Sequence, residues 1–198
     1  MAIAATSPHV LGDTFRISKV HDLTLVAVGT LFISIMAQVS IPLPFTPVPL
    51  TGQTLAVLLT AGALGAWRSV ASTALYLALA LAGAPVLAAQ ADGSHITGTA
   101  VLNMASLGYV LGFIAASAVV GKLAERGFTR TPLRTALAMV LGNLVIYSVG
   151  VPVLQAVTGA DLATAMSWGV TPFIIGDILK IVIAAGLLPS AWRITSQS

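Results

Sequence analysis

The chain has 198 residues, of which 57% are hydrophobic and only 8% charged, with a formal net charge of +3. A soluble domain carries about 25% charged residues, so this composition belongs to an integral membrane protein. With no cysteine there is no disulfide, thiol catalysis or cysteine-ligated metal site. The basic balance does not point to nucleic acid, because no basic run is interleaved with aromatics. The whole chain, 1–198, reads as a single all-α membrane domain. Residues 1–21 form a cytoplasmic tail, 22–192 a six-helix bundle and 193–198 a second cytoplasmic tail.

The first apolar segment, 23–41, contains no charge and is not followed by a small-x-small cleavage site, so it reads as a retained spanning helix rather than a leader peptide. Its Thr30 and Ser34 lie four residues apart and present a small face to another helix, inside this chain or in a partner. Residues 42–50 follow, with Pro42, Pro44, Pro47 and Pro49. Each proline fixes φ and lacks an N–H, so this stretch is a stiff, extended, apolar strap. Segments 51–67 and 69–82 are separated by Arg68, and Gln53 falls in the first turn of the former. The loop 83–100 is rich in Gly, Ala, Ser and Thr, with Gln90, Asp92 and His95 as its candidates for chemistry.

The fourth segment, 101–123, carries Asn103 and Tyr109 near its start and a small-xxx-small pair, Gly108 and Gly112, that predicts close helix packing. Segment 133–157 holds Asn143, read as a hydrogen bond between helices in the cytoplasmic half. After the loop 158–171, segment 172–192 contains Gly176-Asp177-Ile178-Leu179-Lys180. Asp177 and Lys180, at i and i+3, share one helix face. Each charge costs roughly 2.5–3.5 kcal/mol at membrane depth, which marks them as a substrate or ion site.

Eight of nine basic residues (Arg16, Lys19, Arg68, Lys122, Arg126, Arg130, Arg134 and Arg193) fall on one side of this arrangement; the ninth is Lys180. Loops 42–50, 83–100 and 158–171 contain no Lys or Arg. The positive-inside rule therefore predicts that both termini are cytoplasmic. A phosphate-binding loop, an HExxH motif and a pair of intramembrane aspartates are all absent.

These features resemble the BioY family, the biotin-specific substrate-binding component of energy-coupling factor (ECF) type transporters. The resemblance lies in Pro47-Val48-Pro49-Leu50-Thr51-Gly52-Gln53-Thr54-Leu55, Gly62-Ala63-Leu64-Gly65, Ala74-Leu75-Tyr76-Leu77, Gly83-Ala84-Pro85-Val86, Gly108-Tyr109-Val110-Leu111-Gly112-Phe113 and the Asp177–Lys180 motif, in that order. It implies a six-helix vitamin-binding fold in the cytoplasmic membrane, with an outward pocket beneath the first and third loops. Biotin is the implied cargo, with no resident cofactor. Asp177 and Lys180 would hold its ureido ring, and Gln53 and Tyr109 would line the pocket. A transmembrane scaffold subunit and two ATPase subunits are the implied partners; nucleic acid is not one.

The chain departs from the family where the approach to the fourth helix reads Met104-Ala105-Ser106-Leu107, which leaves Gln90 or Asn103 to supply a loop contact. The first helix lacks an Ala-xxx-Ala docking pattern, and Thr30 and Ser34 stand in its place. Two other functions compete. A proton-coupled secondary transporter or channel would use Asp177 and Lys180 as its relay. An intramembrane enzyme would need a second catalytic group at depth, which the sequence does not offer.

Overall fold

The computed structural model describes residues 9–15 and 19–195, without the side chains of Phe15, Lys19 and Val20. Arg16 lies outside the described residues. The α-helices are α1 (Lys19–Gln38), α2 (Gln53–Leu81), α3 (Leu107–Glu125), α4 (Pro132–Thr158), α5 (Leu162–Gly169) and α6 (Ile174–Thr195). Five helical stretches among the described residues are long and apolar enough to cross a membrane, the last of them, Leu162–Thr195, running from α5 into α6.

The helix α2 is a hairpin, not a rod. Gly65 has φ +81° and ψ 178°, a conformation that side chains rarely adopt, and it reverses the chain. The reversal shows in the contacts. Gln53 hydrogen-bonds the hydroxyl of Tyr76, 23 residues on; a straight helix would put them about 35 Å apart. The two legs are the second and third predicted segments, so the bundle has six helical legs. The turn comes at Gly65 rather than at Arg68, where charge alone had placed the boundary. Glu125 of α3 closes the turn by accepting the Ala66 N–H at 3.0 Å, a carboxylate at the start of a helical leg.

Two further differences from the predicted segments concern the ends of helices. Residues Gly98–Asn103 form a 3₁₀ turn, and α3 starts only at Leu107, because Met104 is extended and buried between the two. The loop 158–171 contains α5, whose first turn is capped by Asp161 accepting the Thr164 N–H at 2.7 Å.

Close packing holds the legs together. A Cβ at Gly112 would lie 2.9 Å from the Ile146 carbonyl oxygen, so α3 and α4 touch along the Gly108/Gly112 face as expected. Thr30 donates to the Ser72 carbonyl at 3.1 Å, which makes its neighbour the second leg of α2. Ser34 bonds the Thr30 carbonyl of its own helix.

One end of the bundle carries the strap. Strands β1 (Ser40–Ile41) and β2 (Leu50–Thr51) pair antiparallel, with Ser40 opposite Thr51, and close the proline-rich segment into a loop. Thr46 pins that loop by donating to the Trp168 carbonyl of α5 at 2.9 Å. The opposite end is basic, with Arg68, Lys122, Arg126, Arg130, Arg134 and Arg193 near its turns. There Arg68 clamps the N-terminal segment, lying 2.8 Å from both Asp13 and Asp22.

Candidate substrate-binding site

The site forms where the strap dips into the bundle. The first leg of α2 has only 12 residues, about 18 Å, too short to cross a bilayer alone. The strap and β2 supply the missing depth, so Gln53 begins its helix inside the protein, only 7% exposed. A cleft opens here between α2, α3, α4 and α6. Val48, Pro49, Val110, Phe113, Ile146 and Phe173 supply its apolar wall; its polar residues include Gln53, Thr54, Tyr109, Asn143, Tyr147, Asp177 and Lys180.

Asp177 and Lys180 face this cleft from α6. Helix periodicity places Lys180 almost one turn deeper than Asp177. Asp177 is 6% exposed. Its Oδ2 accepts from the Tyr147 hydroxyl, and its Oδ1 lies 3.6 Å from the Lys180 ammonium. Lys180 donates instead to Thr54 Oγ1 at 2.7 Å. The two charges therefore sit close enough to offset one another, yet each is positioned by a hydroxyl on a different helix. This leaves acceptor capacity on the carboxylate and two N–H donors on the ammonium.

The remaining polar groups are largely committed. Gln53 accepts from Thr51 and donates to Tyr76. Tyr109 donates to the Gly169 carbonyl at 2.9 Å and packs edge-on against Tyr147, with ring centroids 6.4 Å apart. Its role here is to hold α5 over the cleft and present an aromatic wall.

Four of the six sequence candidates thus meet in one place: Asp177, Lys180, Gln53 and Tyr109. Gln90 and Asn103 do not. Both are exposed and neither lines the cleft. The loop carrying Gln90 is folded on itself and onto α1, through the Ala89–His95 bridge, His95 Nδ1 at 2.8 Å from the Leu87 oxygen, and Gln38 donating to Val86. Asn103 ends a 3₁₀ turn whose buried side belongs to Val101. The cleft contact nearest that approach is Ser106.

Five polar cleft residues are not among the sequence candidates: Thr51, Thr54, Ser106, Tyr147 and Asn143, the last expected to bond between helices. The signal for two of them was present: Asn143 and Tyr147 stand at i and i+4 in an otherwise apolar stretch, which puts them on one face. Thr54 next to Gln53 carried no such pattern.

The sequence model described as the BioY family matches residues 8–197 of this chain. Biotin transporter BioY2 of Lactococcus lactis subsp. cremoris is 32% identical over 169 residues, covering 84% of this chain and 87% of that protein. Biotin transporter BioY of Thermotoga maritima is 35% identical over 166 residues, covering 83% of this chain and 92% of that one. The fold is similar to the crystal structure of the S-component for biotin from an ECF-type ABC transporter, with a TM-score of 0.77 and 25% identity over 90% of this chain and 95% of that one.

Proposed function

Because the chain belongs to the BioY family, we propose that it binds biotin and serves its uptake as the substrate-specific component of an ECF-type transporter. It is a transport component, not an enzyme. The observation that carries this reading is the pairing of an available carboxylate, Asp177, with an available ammonium, Lys180, in a cleft whose other walls are apolar. A ureido ring has two N–H donors and one carbonyl. A carboxylate accepts the former and an ammonium donates to the latter, while the thioether ring and the carbon chain require apolar surface. Among the described residues lining the cleft, Asp177 is the one acid, whereas proton relays commonly recruit several.

The cleft encloses about 50 Å³, whereas small-molecule pockets span about 300–1,000 Å³. Loading therefore requires its walls to part. The strap is the wall we take to move: the β1–β2 pair closes it into one loop, and a side-chain bond from Thr46 ties it to α5. Biotin is cargo in this scheme, and no resident cofactor takes part.

The basic end of the bundle faces the cytoplasm by the positive-inside rule, so both termini are cytoplasmic and the strap faces outward. The membrane is the cytoplasmic membrane. A transmembrane scaffold and two ATPase subunits drive release inward, in keeping with the ABC transporter to which the structural relative belongs.

The test is uptake of labelled biotin by a biotin-requiring bacterium that lacks its own transporter and expresses this chain with a scaffold and ATPase pair. Growth on trace biotin, with uptake lost on ATP depletion, is the expected result. Accumulation that survives ATP depletion and collapses with an uncoupler would overturn the ECF assignment.

A further inference from the structure

Asn143 is buried, polar and unused. It is 8% exposed on α4, one turn from Tyr147, and it lines the cleft. It also lines a second, smaller chamber of about 10 Å³ that continues inward from the cleft past Thr54 and Lys180. That volume is close to what one water molecule needs. The cleft residues around Asn143 are committed: Tyr147 to Asp177, Thr54 to Lys180, Gln53 to Tyr76 and Tyr109 to Gly169. Among the described residues, no hydrogen bond joins Asn143's carboxamide to another group. An amide that borders the cleft and has no protein partner is available to a partner brought by the ligand. The interhelical bond expected of Asn143 from sequence is not formed.

We propose that Asn143 reads the ring of the ligand, completing the set begun by Asp177 and Lys180; this rests on the biotin reading above. The donors and acceptors then match in number. Asp177 Oδ1 accepts one ring N–H. Asn143 Oδ1 accepts the other. Lys180, with one N–H on Thr54, donates to the ring carbonyl. The inner chamber has room for one water, which would accept one N–H of the same amide. Asp177 and Asn143 thereby require both ring N–H groups. A ring that lacks one of them leaves a buried acceptor dry, and selectivity for a cyclic urea over a lactam follows.

The test measures binding to the purified full chain in detergent, for the parent and Asn143→Leu. The ligands are biotin and its two lactam analogues, in each of which one ring N–H is replaced by CH₂. Loss of a buried hydrogen bond predicts that Asn143→Leu binds biotin about 10- to 100-fold more weakly. For one analogue, the one missing the N–H that faces Asn143, parent and variant should differ by less than about threefold. Two results overturn the proposal: unchanged affinity for biotin, or an equal loss for all three ligands with a lowered melting temperature, which is the pattern of a helix contact. If Asn143→Leu fails to fold, Asn143→Ser, which is smaller and keeps a polar group, carries the same comparison. Failure of the parent itself to bind biotin would reject the biotin reading first and this inference with it, and the parent's own curve distinguishes the two cases.

Discussion

The Lys180 ammonium lies 2.7 Å from the Thr54 hydroxyl and 3.6 Å from the nearer oxygen of Asp177. The cation is thus oriented from α2, across the cleft, rather than collapsed onto the carboxylate of its own helix. Thr54→Val removes that anchor and lets Lys180 close on Asp177. Hydrogen bonds to charged groups contribute about 1.5–3 kcal/mol, so biotin affinity should fall by about 10- to 100-fold. Thr54→Ser keeps the hydroxyl and should bind within a few-fold of the parent. Titration calorimetry on the two variants decides the point; equal losses in both would contradict the anchoring role.

Tyr147 occupies one carboxylate oxygen of Asp177. Tyr147→Phe should retain the aromatic edge against Tyr109 but free that oxygen, weakening biotin binding by about tenfold through loss of one charge-assisted bond. Melting temperature should barely change, since the ring stays in place. A variant with parental affinity and a clearly lower melting temperature would make Tyr147 a packing residue only.

The tie between Thr46 and the Trp168 carbonyl holds the strap closed over the cleft. A neutral hydrogen bond is worth about 0.5–1.5 kcal/mol net, so Thr46→Val should speed biotin release about two- to tenfold. Loading should be no slower. Stopped-flow release of a labelled biotin measures this. Slower release in the variant would mean that the strap is not the moving wall.

The hairpin turn depends on Gly65. At its φ of +81°, an L side chain is strained, and a Cβ would also meet Glu125 Oε1 at 3.2 Å and Val10 Cγ1 at 3.3 Å. Gly65→Ala should destabilise the protein by about 1–3 kcal/mol, read as a lower melting temperature in detergent. Gly186→Ala, in a helix with open space around it, is the control and should be neutral or slightly stabilising.

The N-terminal clamp is predicted to be sensitive to acid. Burial would raise the carboxyl pKa of Asp13, but its hydrogen bond from Arg68 and the neighbouring Val10 N–H more than offset this and hold it below its ordinary value. A carboxylate with a lowered folded-state pKa stabilises the fold above its unfolded value, about 3.9, and loses that contribution as pH falls through the folded value. Protease cleavage between His9 and Phe15 should therefore stay slow at neutral pH and accelerate below about pH 4, tested with an acid-active protease. Asp13→Asn should show the faster cleavage already at neutral pH.

Much of this protein was legible in its sequence because a membrane leaves few options. Apolar runs must be helices, and charges in them are conspicuous, so the six legs and the Asp177–Lys180 motif could be read directly. Where the hairpin turns could not be. Arg68 announced a boundary, but the left-handed position is at Gly65, and nothing in composition distinguishes that glycine from Gly62. The cap by Glu125 that fixes the turn comes from a residue 59 positions away from Ala66. Gln90 and Asn103 were attractive because polar residues in an apolar loop suggest a ligand. In the structure that loop satisfies itself with its own backbone and with α1. Asn143 was misjudged by depth: the cleft reaches further into the bundle than the outer loops alone suggest, because the strap descends before the first leg of α2 begins.

The central claim is that Asp177 and Lys180 hold the ring of biotin. The most direct test is binding of labelled biotin to the purified chain in detergent, alongside Asp177→Asn and Lys180→Met, with folding checked by gel filtration. The account predicts tight binding by the parent and a loss of at least about 100-fold in each folded variant. Folded variants that still bind as the parent does, or a folded parent that does not bind biotin, would contradict it.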